Sequence, residues 1–126
     1  MFFSSDCRDD VYCCEVNPSN TMVAVGTGKG IVKIYKMEDG INIYSLVDVE
    51  VRRSYLPATT VSWIGDERMV VGYAAGYIKL WNISNQQCLN TIDEDRTILQ
   101  TCVTLDKDAF MTSGKDATIN IYRFFI

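Results

Sequence analysis

The apolar and polar positions of this chain fall into one short phrase that occurs three times. Ile31-Val32-Lys33-Ile34-Tyr35-Lys36, Tyr77-Ile78-Lys79-Leu80-Trp81-Asn82 and Thr118-Ile119-Asn120-Ile121-Tyr122-Arg123 each alternate small apolar with polar residues, reach an aromatic and end on a polar residue. A period of two is the pattern of a strand, since successive side chains point to opposite faces of a sheet. A glycine-containing turn precedes each copy: Gly26-Thr27-Gly28-Lys29-Gly30, Gly72-Tyr73-Ala74-Ala75-Gly76 and Ser113-Gly114-Lys115-Asp116-Ala117. The aromatic positions fall at 35, 81 and 122, so the spacing is 46 and then 41 residues. Self-similarity at that spacing indicates a repeat architecture.

Around each phrase the chain predicts further short strands with polar turns between them and no stretch of helical period. The first unit reads as strands over 11–16, 22–25, 31–36 and 41–49, punctuated by Asn17-Pro18-Ser19-Asn20 and Glu38-Asp39-Gly40. Such clusters favour turns because Pro fixes φ, while Asn and Ser bond back to their own backbone. The second unit reads as 59–64, 69–73, 77–83 and 88–92, and the acidic Asp93-Glu94-Asp95 follows as a solvated link. The third reads as 98–105, 109–112 and 118–124, with no fourth strand.

The runs 22–25 and 69–71 are apolar without a break. A sheet with one wet face would alternate, so continuous runs imply sheets covered on both sides, as propeller blades are. The reading is therefore a single all-β domain over 1–126, a partial β-propeller of about three blades, each a four-stranded antiparallel meander. Blade 1 covers about 11–50, blade 2 about 58–93, and blade 3 about 98–126, the last lacking its outer strand.

The three units resemble WD40 repeats, and the resemblance covers about residues 11–124. That family ends each repeat on Gly-Ser-x-Asp-Gly, an alternating strand, and Trp-Asp. The first unit has Lys29 where Asp is usual, the second has Ala75, and the third keeps Asp116 but has Gly114 in the Ser or Thr position. Family blades often link the Trp to a Ser or Thr, an Asp, and a His from a Gly-His pair. This chain has no His, and Tyr35 and Tyr122 take the aromatic place in two units, so apolar packing is expected to hold the blades.

The resemblance implies a non-catalytic interaction or scaffold module that holds other proteins on loop ends and blade edges. Its alternative is a structural fragment or subunit that completes a larger propeller with another chain. Closed propellers have about four to eight blades. Three leave a sheet face of roughly 300 Å² bare at each end, from four strands about 4.8 Å apart and about 17 Å long. Pairing with a second copy, as a homodimer, or with another WD40 chain follows from that. The apolar Phe2-Phe3 segment is a candidate strand for such an exchange.

Composition narrows the chemistry. With 48% hydrophobic and 22% charged residues, the 126-residue chain is globular and not disordered. The net charge is −4 and the twelve basic residues are scattered, so no nucleic-acid partner is expected. The absence of His removes the commonest general base and metal ligand. Cysteines at 7, 13, 14, 88 and 102 are odd in number and form no C-x₂-C pair. They read as small buried hydrophobes in a reducing compartment, most of them expected to be free and slow to react until the protein is denatured.

The 26–30 loop is followed by a strand and not by the helix that a phosphate site needs, so it reads as a hairpin turn. Asp9-Asp10 and Asp106/Asp108 sit in predicted turns as solvated surface, and Trp63 and Trp81 lie inside strands as core. No catalytic, cofactor-binding or metal-ligating residue is nominated, no cofactor is expected, and the chain is not read as an enzyme. It shows neither a basic, apolar leader nor an apolar run of membrane-spanning length. Asn82-Ile83-Ser84 is expected to stay unglycosylated. The expected location is the cytoplasm, with the nucleus left open.

Overall fold

The computed structural model describes residues 6–47, 56–74, 76–94, 98–103, 109–114 and 118–123. Among them are eleven strands: β1 (Val11–Val16), β2 (Met22–Thr27), β3 (Val32–Lys36), β4 (Asn42–Leu46), β5 (Ala58–Ile64), β6 (Arg68–Tyr73), β7 (Tyr77–Asn82), β8 (Gln87–Asp93), β9 (Ile98–Val103), β10 (Ala109–Gly114) and β11 (Ile119–Arg123). They form three antiparallel sheets in chain order: β1-β2-β3-β4, β5-β6-β7-β8 and β9-β10-β11. The third sheet holds three strands among the described residues, so the fold is the all-β partial propeller that the repeats predict. Phe2-Phe3, Asp95, Asp106, Asp108 and Asp116 lie outside the described residues.

Turn chemistry sets the strand ends. Asn17 is buried, and its Oδ1 accepts from the backbone N–H groups of Thr21 and Met22, both at 2.9 Å. Its Nδ2 donates to Thr21 Oγ1 at 2.9 Å. Asn20 takes the left-handed conformation at φ 60°, which Asn tolerates better than most residues. One side chain thus replaces the backbone partners that the turn from β1 to β2 lacks.

The ladders put the three phrases in a common register. Val23 faces Tyr35, Met69 faces Trp81, and Phe110 faces Tyr122 across their strand pairs. Each sheet therefore has a leading face carrying the aromatic and a trailing face carrying the alternate residues. Val61, Trp63, Met69, Val71, Tyr73 and Trp81 of the second sheet pack in one core with Ala24, Val32, Ile34 and Leu46 of the first. Ile64, Val70 and Ile78, with Leu80 and Ile92, pack in another with Phe110 and Tyr122 of the third. The second sheet is covered on both faces, which explains its continuous apolar run.

The sheets approach closely near Gly26. A Cβ there would lie 2.5 Å from Cys13 Sγ and 2.6 Å from the Ala58 carbonyl oxygen, so only glycine lets β2 meet β5. The polar position of the phrase is also drawn inside. Lys79 is 4% exposed, and its Nζ donates to Thr91 Oγ1 at 3.2 Å and lies 5.8 Å from the Tyr77 ring centroid.

Trp81 is 2% exposed and its Nε1–H donates to Tyr73 Oη at 3.3 Å. Deleting this ring removes core contacts and a buried hydrogen bond together. Trp81→Ala is expected to cost about 3–5 kcal/mol, a large share of the roughly 5–15 kcal/mol that holds a domain folded. Urea unfolding of the variant checks this, and an unchanged midpoint would remove Trp81 from the core.

Candidate interaction surface

The segment ahead of a sheet ties into that sheet's third strand. Before β1, the Cys7 carbonyl accepts from Lys33 Nζ at 2.6 Å, and its sulfur accepts from Tyr35 Oη at 3.1 Å. Burial, then the contact with Cys7, pushes the Tyr35 phenol up to about 12. Before β9, the Glu94 carboxylate accepts from Thr112 Oγ1 at 2.8 Å and from Asn120 Nδ2. Lys33 and Asn120 hold the same place in their strands, two residues before the aromatic. Glu94 is therefore half-buried and bonded, which corrects the expectation that 93–95 is only a solvated link. A linear sequence carries no signal for this, because the partners come from strands 18 and 26 residues away.

Asp9 closes the turn between β2 and β3. Its carboxylate accepts from the N–H of Lys29 at 2.8 Å and of Asp10 at 2.7 Å. Slight burial opposes ionisation, but these bonds, the Thr27 hydroxyl and the Lys29 charge outweigh it and hold the carboxyl below its ordinary 3.8. Asp9 thus has a structural task, while Asp10 is exposed as expected.

The cysteines depart from their expected burial. Cys14 and Cys88 are exposed, Cys7 and Cys13 are partly buried, and all four are free. Cys14 pairs with Val25 on the leading face of the first sheet, where Val25 and Tyr35 are themselves buried, and Cys88 lies on the outer strand β8. Cys13 faces inward, its Sγ donating to the Ala58 carbonyl at 3.6 Å, and burial pushes its thiol up to about 11. The Cys102 side chain lies outside the described residues.

Some apolar side chains of the sheets are exposed. Ile119 is 68% and Ile121 66% exposed on the trailing face of the third sheet, while Val32 and Ile34, at the same places in the first, are fully buried. At the opposite end, Val16 is exposed where Trp63 of the second sheet is buried. A cavity of about 360 Å³ opens between the second and third sheets, lined by Val70, Ile78, Leu80, Ile92, Phe110 and Tyr122, with Arg68, Asn90 and Arg123. Among the described residues no three Cys, Asp or Glu side chains come together as a metal-holding group, and no helix is long and apolar enough to cross a membrane.

Comparison with known proteins agrees with this geometry. Residues 17–108 match the family described as the anaphase-promoting complex subunit 4 WD40 domain. The chain is also similar to the intraflagellar transport protein osm-1 of Caenorhabditis elegans, 23% identical over 116 residues. That alignment covers 90% of this chain and 6% of osm-1, so the chain spans a small part of that relative's length.

Two measurements test the surface chemistry. With a thiol reagent in native buffer, Cys14 and Cys88 are expected to label fast and Cys13 only on denaturation; peptide mapping that finds Cys13 labelled first would contradict this. Asp9, its folded value lowered, stabilises the protein above pH 3.8 and loses that contribution as pH falls through the folded value. Asp9→Asn should therefore lower the melting point at pH 7 and have progressively less effect in acid. An equal deficit at both pH values would dissociate the effect from the charge.

Proposed function

Because the chain belongs to the WD40-domain family of anaphase-promoting complex subunit 4, we propose that it is a non-catalytic scaffold that holds protein partners on its open blade faces. WD40 domains in general mediate protein–protein contacts, a step from fold to function that rests on the family. The observation that carries the reading is the exposure of Ile119 and Ile121, apolar residues whose counterparts inside the molecule are buried. Contiguous apolar surface of this kind marks interaction sites.

A second reading, that the chain is a structural subunit completing a larger propeller with another chain, draws on the same faces. The two readings differ in whether the partner itself contributes a sheet of this repeat. A cytoplasmic location belongs to the proposal, supported by free cysteines of which two are exposed.

The test is affinity capture with the wild-type chain and with Ile121→Asp, followed by cross-linking. A partner retained by the wild type, lost from the variant and cross-linked near β11 is the expected result. A partner with propeller repeats of its own would favour the second reading. Capture that ignores the substitution, or no partner from any extract, would overturn the use of these faces.

A further inference from the structure

We propose that the cavity between the second and third sheets docks a short acidic peptide segment of a protein partner, whose apolar side chain enters between two arginines. The site is distinct from the exposed Ile119 and Ile121. Only its assignment to a protein segment rests on the scaffold reading.

The walls of the cavity are apolar. Val70, Ile78 and Phe110 are buried there, and Leu80, Ile92 and Tyr122 pack against them. Phe110 and Tyr122 stack with ring centroids 4.9 Å apart and planes 20° from parallel, so one wall is an aromatic platform. The space of about 360 Å³ exceeds the roughly 150 Å³ that holds a benzene ring, and it lies within the usual size of ligand pockets. Such walls offer water almost no hydrogen bonds, so an apolar group that displaces it gains affinity.

The repeat register shows how this interface differs from the one before it. Tyr44, opposite Ile34, packs against the core between the first and second sheets. Asn90, opposite Leu80, holds the same place in the second sheet, but it is exposed and lines the cavity. Across the gap, Tyr122 stands where the earlier interface has Trp81. Two large rings of one interface are thus an amide and a smaller ring at the other.

Charge fixes the sign of the occupant. Arg68, from β6 of the second sheet, and Arg123, from β11 of the third, line the cavity, and among the described residues no Asp or Glu does. A guanidinium carries five N–H donors in a planar fork, so it can take a carboxylate while keeping contacts within the fold. An amphiphile with one charged head meets one arginine. A segment with an acidic residue on each side of an apolar one meets both.

Nuclear magnetic resonance on the 126-residue chain with labelled Ile and Leu methyl groups tests this. The probes are the capped peptides Glu-Asp-Leu-Asp-Glu, Glu-Asp-Ser-Asp-Glu and Lys-Lys-Leu-Lys-Lys, with octanoate as a free amphiphile. The acidic leucine peptide is expected to shift the methyl signals of Ile78, Leu80 and Ile92 at millimolar concentration, and the other two peptides to leave them in place. Arg123→Gln should weaken that binding about tenfold. Asn90→Tyr, which puts at this exposed position the residue of the earlier interface, should abolish it with the melting point unchanged or raised. Shifts from octanoate and none from the acidic leucine peptide would overturn the peptide assignment. No shift from any probe, equal shifts from the serine or basic peptide, or shifts that persist in Asn90→Tyr would overturn the site. Capture of a partner through Ile121 can succeed or fail independently of these shifts, so the scaffold reading is tested separately.

Discussion

The constraint on which this fold depends is that each sheet must have its trailing face covered by the leading face of the next. A strand such as β3 places Val32 and Ile34 on one side and Lys33 and Tyr35 on the other. Neither side is polar enough to remain in water, so a single sheet of this sequence cannot be stable alone. Ala24, Val32, Ile34 and Leu46 become core only because Met69, Val71 and Trp81 lie against them. The absence of a side chain at Gly26 is part of the same requirement, since it sets how closely β2 and β5 approach.

The polar side of the design is improvised around a missing histidine. Trp81 donates to the Tyr73 hydroxyl, Tyr35 donates to the Cys7 sulfur, and Thr112 and Asn120 both donate to Glu94. Each sheet thus solves the same burial problem with different atoms. A neutral hydrogen bond contributes about 1 kcal/mol net, whereas leaving its buried donor unpaired costs about 1–3 kcal/mol. The neutral contacts therefore select the positions of Trp81 and Tyr35 more than they hold the sheets together, while Glu94 makes charge-assisted bonds to Thr112 and Asn120, which are worth more. Burial of large side chains, at roughly 1.5–3 kcal/mol apiece, carries the larger share.

How much of this could be read in the sequence follows from the range of the interactions involved. Strand period, turn clusters and the spacing of Tyr35, Trp81 and Tyr122 are local, and they predict eleven strands and their order. The continuous runs 22–25 and 69–71 announce sheets covered on both sides, and β2 and β6 are largely buried. The fates of Cys14 and Glu94 were not legible. Cys14 is exposed because no described sheet covers the leading face of the first sheet, and Glu94 is bonded because two later strands return to it. Lys79 gives the same lesson, since a lysine in an alternating strand reads as solvent-facing until a neighbouring sheet is placed over it. As for a site, nothing local marked one, because the candidate surface is a sheet face whose meaning comes from comparison with its own repeats.

That comparison also bears on how stability is distributed. In a stack where each unit touches only its neighbours, stability is approximately a sum of unit and interface contributions. The second sheet has two interfaces, while the first and third have one each among the described residues. The terminal sheets are consequently the weaker ones, and they carry the exposed Val16, Ile119 and Ile121. Whatever binds these faces binds the folded sheet and not the unfolded chain, so by mass action it stabilises the sheet it covers.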